Sequence, residues 1–417
     1  MSFHAKVLIP VLLVVGFIQG QEKEDPVRLL LAKNREVLAA EKAYLAAQEE
    51  AKIFGILPDP MVESSLFLQP IETRNGPMEN QMMIGQRFPL WGKLKRDRRV
   101  AHLREEIAYW NLRSTQIAVV FLMRRGWETY LKLTRSLEIL ERYRGELETF
   151  RSIALTQYAT GTGVTQHPIL KLQIEISLVE SQINGFESQL ESAVNDLQSL
   201  FDGAFSPDLF AGTRSDTVRP GSVGEWTDLA RRFHPGYAKA ERELEIARLQ
   251  NEIAIRRNYP DLVAGFTYTV IGPADGMGAV EPGADAFGFK AGLNLPIWFG
   301  RNRARIQSTE LTVRSREERL KEIWNRIEND VRSTHRDLVE TEQTYLLYSD
   351  KLLQESEQML KSAFSAYETG KISFLDLLDS ERMVVRVRLD FEKVEADRRI
   401  SGARLMKATG LVHLQEE

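Results

Sequence analysis

The chain contains no cysteine in 417 residues. Disulfides, thiolate metal sites and lipid attachment through an N-terminal cysteine are therefore excluded. Charge of one sign is also missing: 55 Lys and Arg stand against 59 Asp and Glu, a formal net charge of -4. A nucleic-acid partner needs a basic surface and is not expected. The six histidines are scattered at 4, 102, 167, 234, 335 and 413 and form no ligand cluster. No H-E-x-x-H, G-x-S-x-G or P-loop pattern occurs, so no catalytic residue, metal site or cofactor is assigned and the chain reads as a non-enzyme. Any transport it performs must draw its energy from a partner.

Long hydrophobic runs are absent beyond the N-terminus. Lys6, the apolar stretch Val7 to Phe17 and the small Gly20 before Gln21 read as a secretory signal over residues 1–20. An uncleaved anchor is the alternative, but this stretch is too short to cross a bilayer. No later segment approaches about 18 uninterrupted apolar residues, so the exported chain has no helical route into a membrane.

Proline and glycine are missing where their absence matters most. From Lys93 to Tyr158 there is no proline, and Gly126 and Gly145 are the only glycines; from Arg301 to Tyr367 there is neither. Each run is long enough for roughly 100 Å of helix at about 1.5 Å per residue. Apolar residues recur every seven places: Leu133, Leu140, Leu147 and Ala154 in the first run. In the second, Tyr345, Leu352, Met359 and Ala366 run beside Leu346, Leu353, Leu360 and Tyr367. Two adjacent columns predict a wide seam that meets several helices rather than one coiled-coil partner. Glycines end both runs (Gly161 and Gly163; Gly370), and helices return over about 165–202 and 373–409. Shorter helices are expected over 25–57 and 225–258, so each long helix should lie beside two shorter ones in series.

Between the short and long helices the period changes to two. Phe287, Phe289, Ala291, Leu293 and Leu295 alternate with Gly288, Lys290, Gly292 and Asn294; Ala264, Phe266, Tyr268 and Val270 alternate with Gly265, Thr267 and Thr269. This predicts strands that are apolar on one side and wet on the other. The first half offers strands over about 61–70 and 79–88, within a pair spanning about 61–90; the second pair spans about 261–296. Such segments suit a transmembrane β-barrel, and a soluble hairpin capping the helices is the alternative. Four strands cannot close an aqueous barrel, and an open edge cannot sit in lipid. If the strands are in a membrane, several copies must pool them, and a homotrimer gives twelve.

The chain also repeats itself. Asn34 to Glu41 aligns with His234 to Glu241, Pro58-Asp59 with Pro260-Asp261, Phe88-Pro89-Leu90-Trp91 with Leu295-Pro296-Ile297-Trp298, and Thr156 to Gly161 with Ser365 to Gly370. The reading is a duplicated half-molecule: residues 21–210, a linker over 211–224, and residues 225–417.

These residues resemble the TolC-type outer-membrane efflux factors over nearly the whole mature chain. Ala366-Tyr367-Glu368-Thr369-Gly370 followed by Ser373, Asp376, Leu378 and Asp379 is the most specific match. Tyr158 to Gly161, Pro58-Asp59-Pro60 and the exits Pro89-Leu90-Trp91-Gly92 and Pro296-Ile297-Trp298-Phe299-Gly300 add to it. The resemblance implies a mainly α protein with a small β part. Three chains would form a 12-stranded outer-membrane barrel above a periplasmic α-barrel of long coiled-coil helices. It would be an exit duct in the outer membrane of a Gram-negative-type bacterium, taking solutes from an inner-membrane pump through a periplasmic adaptor. A periplasmic coiled-coil scaffold, or the outer-membrane arm of a type I secretion system, remains the alternative. Pro58-Asp59-Pro60-Met61 and the exit Phe88 to Lys93 are similar to relatives in heavy-metal efflux, although drug or protein cargo stays open.

The resemblance also carries site residues. Asp376 and Asp379 match the carboxylates that ring the closed periplasmic end, and so become candidate gate residues. On a solvated helix face, the same i, i+3 spacing has no such meaning. The first half has His167 and Leu170 at the corresponding places; a titratable or metal-binding His167 ring is a further alternative, against a solvated loop histidine. The turns at Tyr158, Thr160, Gly161, Gly163 and Val164, and at Tyr367, Thr369, Gly370, Lys371, Ile372 and Ser373, are the candidate adaptor-docking tip. Ile372 replaces a basic residue common in relatives, which leaves Lys371 as a substitute. Trp91 and Trp298 sit where an interfacial aromatic belt in outer-membrane lipid is expected. Lys93, Lys95, Arg96, Arg98, Arg99, Arg301, Arg303 and Arg305 follow the strand exits as a basic collar or as solvated helix starts.

Overall fold

A computed structural model describes residues 25–160, 165–210, 218–273 and 283–412. Helices α1 (Pro26–Lys33) and α2 (Arg35–Ile53) lead into strands β1 (Met61–Thr73) and β2 (Gly76–Phe88). The long α3 (Lys93–Ala159) and the return α4 (Gln166–Leu200) follow. The order then recurs as α5 (Val223–Phe233), α6 (Pro235–Arg256), β3 (Leu262–Ile271), β4 (Ala286–Leu293), α7 (Phe299–Leu347), α8 (Leu353–Glu368) and α9 (Phe374–Thr409). The expected segment 1–20 and the first half of the 211–224 linker lie outside the described residues.

The 67 residues of α3 amount to about 100 Å of unbroken helix. Leu133, Leu140, Leu147 and Ala154 are all buried, so the seven-residue column in this helix is a packing seam. Mid-helix Gly126 has a reason: a Cβ there would stand 2.9 Å from Leu197 Cδ2, because α4 approaches closely.

The second long run departs from expectation. It is not one helix: Tyr348–Leu352 is a π turn between α7 and α8. A π turn holds more residues than an α turn and rotates everything beyond it. The buried seam runs through Ile327, Val331, Thr334 and Leu338 above it and through Ser356 and Ala363 below it. Leu346 and Met359, members of the expected columns, are exposed.

The two short helices also differ from the single segments expected over 25–57 and 225–258. Each is broken once, at positions the sequence alignment pairs. Asn34 caps α2, its Oδ1 accepting from the amides of Glu36 and Val37 (3.0 and 3.1 Å) while its Nδ2 donates to Leu200 O (3.0 Å). His234 caps α6, its Nδ1 accepting from the Gly236 amide at 3.1 Å. Pro235 at the first helical position has no amide to satisfy there.

All four strands form one antiparallel sheet in the order β1-β2-β3-β4, which leaves β1 and β4 as bare edges. The first pair is longer than expected, reaching Thr73 and starting again at Gly76, with a register shift between Leu66 and Ile71. β4 stops at Leu293, so Leu295 lies past the strand. Below the sheet, α3 packs against α2, α4, α6 and α9, and α7 packs against α6 and α9. Three apolar clusters hold this layer together. One joins α1, α2 and the middle of α3 to Phe201, Phe205 and Phe210. A second joins α5, α7 and the end of α9. The third ties α3, α4 and α9 together near the turns.

Candidate functional site

Strand register decides what the sheet shows on each side. Directly paired residues share a face. Ile84 pairs with Phe266 and Phe266 with Phe289; Met82 pairs with Tyr268 and Tyr268 with Phe287. That face continues through Val62 on β1 and Leu293 on β4. It is uncovered: Leu68 and Phe289 are each 93% exposed. An apolar face of this size in water is unfavourable at about 25 cal/mol per Å². The opposite face presents Glu63, Ser65, Gln81, Arg87, Thr267, Thr269 and Lys290, the pattern of a sheet wet on one side only.

Aromatic residues frame the uncovered band. Trp91, with φ 64, meets the Tyr259 ring at a tilt, centroids 5.3 Å apart, and its indole N–H donates to Pro260 O at 3.1 Å. Trp298 caps α7, and both indoles are exposed. At the other end the Tyr268 ring lies tilted against Phe287, and its hydroxyl donates its proton to Asp285.

The basic residues after the strand exits separate into two groups. Lys93 is buried and bonds Asp261 at 2.7 Å and Tyr259 O at 2.9 Å. Arg96 pairs with Glu252 and Arg99 with Glu245, while Arg98 donates to Gly55 O. These cations bind the first long helix to α6 and to the end of α2, so they do not form a free collar. Arg301, Arg303 and Arg305 have no ion pair among the described residues.

At the opposite end, the helix turns carry the remaining candidates. Thr160 donates its hydroxyl proton to Thr156 O, and Tyr158 is exposed. Gly161, Gly163 and Val164 lie outside the described residues. In the second turn Gly370 has φ 69, the left-handed conformation that glycine tolerates. Thr369 donates to Ser365 O, Lys371 N–H bonds Ala366 O, and the Tyr367 ring meets Phe374 edge-on at 6.0 Å. Ile372 is half-buried.

The two acids differ from each other. Asp376 completes a capping box with Ser373: its carboxylate accepts from the Ser373 amide at 2.9 Å and hydroxyl at 2.7 Å. Those hydrogen bonds hold its pKa below the ordinary carboxylate range. Asp379 pairs with Arg382 at 3.2 Å and with Lys171 of α4 at 3.8 Å. The cation facing it is thus Lys171; His167 is exposed in the first turn of α4.

Sequence reasoning missed the network beside these acids. Glu175 of α4 is buried; it accepts from Arg382 of α9 at 2.9 and 2.5 Å and from Tyr143 of α3 at 3.3 Å. Next to it Glu381 is buried against Glu146, and burial first, then that neighbour, pushes its carboxyl up to about 8. The signal was present: Glu175 interrupts the apolar column Ile169, Leu172, Ile176, Val179. A carboxylate in such a column needs a partner.

Comparison with known proteins agrees with this geometry. The family described as outer membrane efflux protein matches residues 226–411. No curated protein matches the chain in sequence. Among solved structures, a membrane protein from Pseudomonas aeruginosa superposes with a TM-score of 0.74 at 19% identity, covering 92% of this chain and 89% of its own. The Campylobacter jejuni CmeC outer membrane channel gives 0.72 at 14%, covering 94% and 86%. The open state of the Neisseria gonorrhoeae MtrE outer membrane channel gives 0.72 at 16%, covering 92% and 88%. Residues 226–411 thus match the outer membrane efflux protein family, and the chain shares its fold with these outer membrane channels over more than nine-tenths of its length.

Proposed function

We propose that the protein is the outer-membrane exit duct of a tripartite efflux pump. The observation that carries this reading is the sheet with one uncovered apolar face and one polar face, mounted on helices about 100 Å long. A homotrimer pools three four-stranded sheets into a twelve-stranded barrel, closing β4 of one copy onto β1 of the next. The apolar face meets outer-membrane lipid and the polar face lines water. Trp91 and Trp298 form the aromatic belt at the periplasmic interface, and Tyr268 with Phe287 forms the other. The helices cross the periplasm as a tunnel.

At the turn end, Tyr158 to Val164 and Tyr367 to Ser373 dock on a periplasmic adaptor that connects to an inner-membrane pump. Asp376 and Asp379, three copies of each, act as the gate. Lys171 and Arg382 hold Asp379 within each chain, so opening the gate involves exchanging these pairs. Cargo is a heavy-metal ion or a drug, on the likeness of the Pro58 to Met61 and Phe88 to Lys93 segments to metal-efflux relatives.

The test is direct. The full mature chain is extracted from outer membranes and added to planar bilayers. Detergent-dependent extraction and stepwise conductance are expected; a protein that stays monomeric and water-soluble without detergent, and conducts nothing, overturns the proposal.

A further inference from the structure

Just below the sheet, helices α3, α6 and α7 enclose a recess of about 410 Å³. Its polar lining includes Asp97 and Arg104 of α3, Gln250 of α6, Arg257 at the α6 cap, and Arg305 and Thr309 of α7. The charges here differ from those elsewhere in the same helix layer. Arg96, Arg99 and Arg248 each hold a glutamate at 2.7 to 2.9 Å. Arg104, Arg257 and Arg305 have no carboxylate within 4.0 Å among the described residues.

The one acid in the recess does not neutralise them. Burial raises the Asp97 carboxyl, and the opposing pull of Arg257 is the smaller influence. A carboxylate in contact with a guanidinium would shift the other way. Three guanidiniums around one acid leave positive charge in excess and repel one another, and they keep donors that no group among the described residues fills. Arginine's planar fork of donors matches the paired oxygens of phosphate and carboxylate.

We propose that this recess binds a multiply charged oxyanion, a phosphate or carboxylate group carried by a passing solute or by a lipid headgroup. Arg104, Arg257 and Arg305 hold the oxygens, and Asp97 limits the affinity so that the anion can leave. The inference goes beyond the exit-duct reading and is tested independently of it, because binding is measured without conductance.

The full-length protein in neutral detergent, before and after stripping of bound lipid, is titrated calorimetrically with inorganic pyrophosphate. Saturable binding is expected. Replacing the three arginines together (Arg104→Gln, Arg257→Gln, Arg305→Gln) should weaken it at least tenfold. Asp97→Asn should tighten it several-fold, an effect of opposite sign that structural damage does not mimic. If the triple variant fails to fold, Arg305→Gln and Asp97→Asn decide alone, by weaker and tighter binding. Organic phosphorus that co-purifies with the natural chain and drops in the variant, with pyrophosphate binding only after stripping, assigns the recess to a headgroup. Pyrophosphate binding to the protein as purified, without such phosphorus, assigns it to a soluble anion. No saturable binding before or after stripping, or the same affinity in Asp97→Asn, overturns the proposal. Failure to conduct in a bilayer would count against the duct and leave this result standing.

Discussion

Arg382 of α9 grips Glu175 of α4 with two donors, Nε to Oε1 at 2.9 Å and Nη2 to Oε2 at 2.5 Å. The contact joins helices more than 200 residues apart in sequence, since the two residues are separated by 207 positions. It lies at the turn end, where the Tyr143 hydroxyl also reaches Glu175. Burial, with Glu175 adding to it, pushes the Tyr143 phenol well above its usual range, so this hydroxyl stays a donor at every working pH.

Arg382→Ala leaves Glu175 enclosed without its main counter-charge. Because the guanidinium is partly exposed, the expected loss is about 1–3 kcal/mol, below that of a fully buried pair. Adding Glu175→Gln should restore part of it. Thermal unfolding of the two single variants and the double variant measures the coupling, and strictly additive losses would show that the pair is not a unit.

The Glu381 carboxyl, raised to about 8 by burial and by Glu146, keeps its proton in the folded chain where the unfolded chain has lost it. Its contribution to stability is therefore full in acid. It declines as pH rises from the ordinary glutamate range to about 8 and is gone above that. The other charged groups around it, Glu175 and Arg382, neutralise each other across this range. Glu381→Gln should flatten the decline and raise the melting temperature at pH 9. A melting curve with the same pH profile in both proteins would remove the assignment.

Phe289 and Thr267 point to opposite sides of the sheet, although their strands are adjacent. An arginine at Phe289 faces hydrocarbon and should destabilise insertion by about 2–4 kcal/mol if that position lies near the bilayer centre. An arginine at Thr267 faces water and should be tolerated. Refolding of each variant into lipid vesicles tests this, and equal losses would mean that lipid does not cover the apolar face.

The capping contact of Asp376 and its proposed gate role are separable, since Ser373→Ala removes the capping box while keeping the acid. Asp376→Ala combined with Asp379→Ala should raise basal conductance or reduce cation preference in planar bilayers. Ser373→Ala should leave both unchanged and only loosen the start of α9. If Ser373→Ala reproduces the channel phenotype, helix capping and not charge controls the end of the duct.

Local periodicity made much of the architecture legible. Leu133 to Ala154 marked a seam, and the alternation around Phe266 and Phe289 marked a two-faced sheet. The breaks at Asn34 and His234 were less visible, because each sits inside a helical pattern and acts through a single side-chain cap. The π turn was not visible at all: Tyr348 to Leu352 carry neither glycine nor proline to mark a break. The basic collar shows a further limit. Sequence placed Lys93, Arg96 and Arg305 together, but only tertiary structure shows that the first two are spent on Asp261 and Glu252 while the third opens onto a recess.

The extra turn at Tyr348 makes the two rods mechanically unlike. Rewinding it into ordinary α-helix would swivel the 16 residues of α8 by about 100° and carry Ser356 and Ala363 off their contact with α9. The first rod offers no such adjustment, because α3 runs uninterrupted from Lys93 to Ala159. A rewinding there would re-aim the far end of the second hairpin, a change for which the unbroken α3 has no counterpart.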